Sequence, residues 1–79
     1  MESKKNPERA EKIRRLRSGA GFYSGPLMVK ELEKHGVKMT RQTWMNKEHG
    51  VTSFNIRELT ALADIFDMPL ASANDFFNG

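Results

Sequence analysis

The sequence contains no cysteine. Neither a disulfide nor a thiolate metal site can therefore reinforce the fold, which suits a reducing compartment. Long apolar runs are missing too, since none approaches the roughly 20 residues of a membrane-spanning helix. The charged N-terminus does not resemble a signal peptide. We expect a cytoplasmic protein without membrane contact.

The residue patterns of catalysis are also missing. His35 and His49 fall on different predicted helices, and the neighbours Glu48 and His49 would point about 100° apart. The sequence has no phosphate-binding loop, no nucleophile motif and no pair of carboxylates on one helix face. We therefore expect no enzyme activity, no metal and no cofactor.

Helical periodicity runs through the whole chain, and no segment alternates with a period of two residues. A chain of 79 residues makes one domain with a small core. Helix starts are marked by Asn6-Pro7, Pro26, Thr40 and an Asn55/Glu58 capping pair. We predict a single all-α domain over 1–79, with residues 1–5 a disordered basic arm and 78–79 disordered. The expected helices are 7–18, 26–35, 41–48, 56–66 and 70–77.

Each predicted helix has one face that should turn inward. The expected inward residues are Ala10, Ile13, Leu16 and Arg17; Met28, Val29 and Leu32; Trp44; Ile56, Leu59, Leu62, Ala63 and Phe66; and Leu70, Ala73 and Phe77.

Charge is distributed unevenly. Residues 1–50 hold twelve Lys/Arg and six Asp/Glu, a net charge of +6, whereas residues 51–79 hold one Arg and four acids, a net charge of −3. A basic half fits a polyanion partner. The alternative is a basic first helix that is merely solvated.

The segment 36–50 carries the most functional information. Gly36 can end one helix, Thr40 can cap the next, and Gly50 can end it. At 100° per residue, one side of this short helix holds Arg41, Gln42, Met45, Asn46 and His49, and Trp44 lies on the other. Arg pairs with guanine and Gln or Asn with adenine in the major groove. The alternative is the polar, solvated face of an ordinary amphipathic helix.

These motifs resemble a known family. The spacing Trp44-x-x-x-Glu48-x-Gly50, followed by Leu59-x-x-Leu62-Ala63-x-x-Phe66, resembles the lambda-repressor-like domain of Cro/CI-type (XRE) regulators over about residues 9–77. The connection 36–40 is longer than the commonest family form and is similar to that of some small temperate-phage repressors.

The resemblance implies a compact five-helix domain in which helices 2 and 3 form a helix-turn-helix, with helix 3 in the major groove. Base contacts then fall on Arg41, Gln42 and Asn46, with Met45 on the same face. The expected phosphate contacts are Ser24, Lys38, Thr40, Lys47 and Ser53. The implied function is a sequence-specific transcriptional regulator of repressor type, of phage or mobile-element origin, whose partner is a double-stranded DNA operator. The alternative is a helix-turn-helix fold that binds a protein, as an antirepressor or antitoxin does.

Three positions depart from the family pattern. The stretch 22–26 lacks the phosphate-binding Gln that many members have, and 51–55 lacks basic residues. Lys47 occupies a position that is often apolar, so we expect its stem to lie along the core while its ammonium emerges.

Two further contacts are expected. Arg17 shares the inward face of helix 1, and Glu48 is the carboxylate best placed to meet it, which predicts a partly buried ion pair; the alternative is two separately solvated charges. In the last helix, Phe76 points about 100° away from Phe77 and is the expected contact of a weak homodimer. The alternative is a single exposed aromatic without a role.

Overall fold

A computed structural model describes residues 5–79, and this part of the chain contains five helices and no strand. The helices are α1 (Pro7–Gly19), α2 (Gly25–Lys34), α3 (Arg41–Glu48), α4 (Ile56–Ile65) and α5 (Leu70–Asn78). The all-α prediction is confirmed, and each predicted boundary lies within one residue of the observed one. Residues 1–4, most of the expected basic arm, lie outside the described residues.

The helices begin where the sequence offers side-chain caps. Asn6 Oδ1 accepts the Arg9 N–H at 3.1 Å. At α4, Asn55 Oδ1 accepts the Glu58 N–H at 2.8 Å while Glu58 Oε1 accepts the Asn55 N–H at 2.9 Å, which completes a capping box. These local bonds satisfy backbone donors that a helix start leaves open.

Three helices, α1, α2 and α3, end in a left-handed glycine. Gly21 has φ +98°, Gly36 has φ +82° and Gly50 has φ +83°. After α2, the Val37 N–H donates to Leu32 O at 3.0 Å, and after α3 the Val51 N–H donates to Asn46 O at 2.8 Å. Both are Schellman motifs, which turn the chain sharply away from the helix axis. The first motif directs the chain from α2 into the connection that precedes α3.

The core is centred on Trp44, which is fully buried. Its ring centroid lies 5.7 Å from that of Phe54, which lies 5.5 Å from that of Phe77. Helix α4 packs against α5 and α2, α1 packs against α3 and α5, and α2 packs against α3. The radius of gyration, 11.6 Å, is that of a compact chain of this length.

Three expectations about packing are wrong. Ile56 is 65 % exposed and Leu70 is 41 % exposed. Both are the first residues of their helices, where the chain is leaving a turn and no described helix lies over them. Asn78 was expected to be disordered, but it is the last residue of α5. Its side chain accepts the Phe54 N–H at 2.8 Å and donates to Phe54 O at 3.0 Å.

The inward face of α1 also differs from the expected one. It buries Arg9, Ile13 and Arg17, four residues apart, whereas Ala10 and Leu16 are only partly buried. Arg9 Nη2 donates to the backbone oxygens of Lys47 at 2.6 Å and Thr52 at 3.0 Å. Burial lowers the pKa of Arg9 from its ordinary value, yet a guanidinium stays charged in proteins. α1 therefore binds the end of α3 through a buried cation.

Arg9→Ala should lower the free energy of unfolding by about 3 kcal/mol, because two backbone oxygens lose a charged donor. Arg15→Ala, which removes the same charge from an exposed position on the same helix, is the control and should leave the unfolding midpoint nearly unchanged. Urea titration followed by circular dichroism measures both. Equal losses in the two variants would mean that the bonds made by Arg9 contribute nothing specific.

Candidate nucleic-acid interface

The outward face of α3 is polar. Arg41, Gln42 and Met45 are exposed, Asn46 is partly exposed, and Trp44 faces the core. Gln42 Nε2 donates to Asn46 Oδ1 at 3.1 Å, so the two amides are aligned one helical turn apart. The predicted base-contacting residues thus share one surface, in two rows: Arg41 with Met45, and Gln42 with Asn46.

The C-terminal end of α3 is held by α1. Arg17 Nη2 lies 3.4 Å from Glu48 Oε2, with side chains 9 % and 6 % exposed, so the expected ion pair is present and buried. Arg17 Nη1 also donates to Phe22 O at 2.9 Å, and the Asn6 N–H donates to His49 O at 2.6 Å. These bonds set the direction in which α3 presents its polar face.

The N-terminal end of α3 is set by its cap. Thr40 Oγ1 accepts the Thr43 N–H at 3.0 Å and donates to Thr43 Oγ1 at 2.9 Å. Thr40 was expected to contact phosphate, and its hydroxyl is paired with that of Thr43. The Thr43 hydroxyl, which the sequence pattern did not single out, therefore lies beside the same helix start.

Lys47 does not face solvent, so the expectation that its ammonium emerges is wrong. Its Nζ lies 3.0 Å from Glu58 Oε1 and donates to Ser53 O at 2.8 Å, and the side chain is only 13 % exposed. The capping box of α4 places the Glu58 carboxylate within reach, and an ammonium beside a partly buried carboxylate is more stable paired than free. Lys47 therefore joins α3 to α4, and its ammonium is already paired within the fold.

The remaining phosphate candidates, Ser24, Lys38 and Ser53, are all exposed. Ser24 lies at the start of α2, Lys38 in the connection to α3, and Ser53 in the loop before α4. They flank α3 on both sides, although only Lys38 carries a charge.

The starts of α2 and α4 differ as anion sites. At α4 the capping box engages the Asn55 and Glu58 N–H groups and adds a carboxylate. At α2, no described side chain caps the helix and no acid lies in the first turn. Its open N–H groups and positive end of the helix dipole are what an anion binds. Tyr23 and Ser24 add exposed hydroxyls there.

The start of α2 lies close to α3. A β-carbon at Gly25 would lie 3.4 Å from Trp44 Cδ1, so the start of α2 lies directly against the indole ring. The same residue, with Pro26, forms one wall of a groove of about 440 Å³ between α1 and α3. Arg14 of α1 and Arg41 and Met45 of α3 also line this groove.

Phe76, the expected dimer contact, is only partly exposed. Its ring centroid lies 5.2 Å from that of Phe77, and Lys12 Nζ lies 5.0 Å from it. Leu70 is the more exposed apolar side chain of α5. Any apolar contact through this helix therefore involves Leu70 at least as much as Phe76.

Over residues 5–79, no three His, Asp or Glu side chains gather in a way that could hold a metal ion. Nor is any helix in this part of the chain long and apolar enough to cross a membrane. Comparison with protein-family models, curated proteins and solved structures finds no significant match.

Glu48→Ala should lower the free energy of unfolding by about 3 kcal/mol, because the buried Arg17 loses its counter-charge. Glu11→Ala removes an exposed carboxylate that also binds arginine, and it should barely move the unfolding midpoint. Thermal and urea unfolding of the two variants test this. If Glu48→Ala is as stable as the parent, the ion pair does not hold α3 in place.

Proposed function

We propose that this chain is a sequence-specific DNA-binding transcriptional regulator of the lambda-repressor-like (Cro/CI-type) kind. In this proposal α2, the connection 35–40 and α3 form the helix-turn-helix, and α3 reads an operator in the major groove. The observation that carries it is the division of α3 into a buried Trp44 side and an outward side with Arg41, Gln42 and Asn46. Those three side-chain types make bidentate contacts with base edges.

The attachment of α3 supports the same function. A helix of eight residues is too short to be stable alone, so its neighbours must fix its position. Base contacts need side chains placed to within about 0.5 Å, which a rigid helix provides better than a loop. The buried ties from Arg9 and Arg17 provide that rigidity.

Phosphate contacts would position the protein on its operator. The open start of α2, the hydroxyl of Ser24 and the charge of Lys38 suit this task. The resemblance to small phage regulators favours a repressor from a phage or mobile element.

A protein-binding role is the second candidate, and one observation favours it. The loop 51–55 carries no basic residue and Lys47 is engaged with Glu58, so one flank of α3 offers few cations for phosphate. An antirepressor or antitoxin would use the exposed Met45 and its polar neighbours to contact a partner protein.

Selection of bound sequences from random DNA, followed by gel shifts, tests the proposed function. On the selected operator, replacing Arg41, Gln42 or Asn46 by Ala should weaken binding by about 1–3 kcal/mol and relax preference at one base position. Lys38→Ala should weaken all sequences alike and reduce the salt slope by about 0.9.

Ser72→Ala, at an exposed position on α5, is the control and should bind like the parent. If the Ala variants at Arg41, Gln42, Asn46 and Lys38 also bind like the parent, α3 does not read DNA. The protein-binding role then replaces the proposed DNA-binding function.

A single helix-turn-helix makes few contacts, and two half-sites about 34–36 Å apart on DNA call for two copies. We therefore expect a weak homodimer through α5, with Phe76, Leu70 and Met68 in the contact. Sedimentation on a palindromic operator should show two copies per site for the parent and one for Leu70→Lys. Phe76→Lys should act alike, but it also disturbs core packing, so the exposed Leu70 gives the cleaner test. One copy per site for the parent would exclude the homodimer.

A further inference from the structure

Two neighbouring arginines of α1 share one carboxylate. Arg14 Nη2 lies 2.6 Å from Glu11 Oε1, and Arg15 Nε lies 2.8 Å from Glu11 Oε2. Each arginine uses its own oxygen, so Glu11 keeps one partner if the other leaves. The two side chains are 55 % and 77 % exposed, which makes either pair weak and easily exchanged.

The two arginines face different surfaces. Arg14 lines the groove between α1 and α3, together with Arg41 and Met45 of the reading helix. Arg15 lies on the other side of Glu11, with Glu8 and Lys12. The pKa of Arg14 is raised above its ordinary value mainly by its bond to Glu11 and, to a smaller degree, by attraction to Glu48 of α3.

The groove is lined by more cations than carboxylates. Its two carboxylates, Glu11 and Glu48, are already paired with arginines of α1, whereas Arg41 adds a further exposed cation from α3. Gly25 and Pro26, at the uncapped start of α2, line the same groove. A backbone phosphate bound at that helix start would therefore lie beside a groove that holds guanidinium groups of α1 and α3.

We propose that Arg14 contacts the DNA backbone from α1. On binding, its guanidinium leaves Glu11 and takes a phosphate of the strand that passes the start of α2, while Arg15 keeps Glu11 neutralised. The DNA footprint then extends from α3 across the groove to α1. Guanidinium matches phosphate with two parallel hydrogen bonds, so the exchange replaces a weak surface pair by a stronger contact. This inference rests on the proposed function.

The matched pair Arg14→Ala and Arg15→Ala tests it, because both lose one charge and one bond to Glu11. Affinity is measured by fluorescence anisotropy for the selected operator and an unrelated duplex, between about 0.05 and 0.3 M salt. Arg14→Ala should reduce the salt slope by about 0.9, which is a loss of about eightfold at 0.1 M salt relative to 1 M, and should do so for both duplexes. Arg15→Ala should keep the parental slope and lose at most about fivefold, because Glu11 then has no second partner when Arg14 moves to the phosphate.

Glu11→Gln provides the converse test. In the Arg15→Ala background it frees Arg14 and should tighten binding, whereas in the Arg14→Ala background it should not. Arg14→Gln, which keeps a polar side chain without the charge, should repeat the loss seen with alanine. Thermal unfolding of each variant shows whether its fold is intact.

The outcomes separate the two proposals. If the parent binds no DNA, both the proposed function and this inference are overturned. If the parent binds and its α3 variants lose affinity, but Arg14→Ala and Arg15→Ala behave alike, the proposed function stands and the contact from α1 is overturned.

Discussion

The rest of the structure depends on the attachment of α3 to α1 by two buried arginines. Helix α3 has eight residues and only one large inward apolar side chain, Trp44, so apolar packing alone would leave its tilt poorly defined. Arg9 binds the carbonyl of Lys47, and Arg17 pairs with Glu48. Buried ion pairs add little net stability against an apolar alternative, but they are directional, and breaking one leaves a costly unpaired charge. We infer that these arginines contribute geometry more than stability.

Because some cations are used inside the fold, the number of Lys and Arg residues in the sequence overstates the positive charge available to a partner. Arg9 and Arg17 are buried, and Lys47 is paired with Glu58, so three of the twelve cations in residues 1–50 act inside the fold. The ring centroid of Phe54 lies 5.3 Å from the Arg9 guanidinium carbon and 5.9 Å from Lys47 Nζ. This aromatic ring therefore joins the supports of α3 on its α1 and α4 sides.

The features that could be predicted from the sequence are those set by residues close to one another along the chain or by charged side chains of known helical direction. Caps such as Thr40 and the Asn55/Glu58 pair, and the glycine stops, act within four residues, so helix boundaries could be predicted to within a residue. The Arg17–Glu48 pair could be predicted because both partners are charged side chains with a definite helical phase. The burial of Arg9 could not be predicted, because its partners are backbone carbonyls, and every residue carries one whatever its side chain. The exposure of Ile56 and Leu70 could not be predicted either, because periodicity gives the direction of a side chain but not whether another element packs against it.

The α2 and α4 sides of α3 differ in charge and in open helix-start donors. This difference bears on how α3 could approach DNA. On the α4 side, the capping box uses the helix-start donors, Glu58 adds a carboxylate, and the loop 51–55 lacks cations. On the α2 side, the helix start is uncapped and arginines line the adjacent groove. Since attraction to phosphate falls off within about 10 Å at 0.1 M salt, these two flanks act nearly independently. Phosphate contacts would then be concentrated on the α2 side of α3. Contacts on one side alone leave α3 free to rotate in the major groove of the DNA. A second point of support, from α1 or from another copy of the chain, would remove that freedom and let the side chains of α3 discriminate between bases.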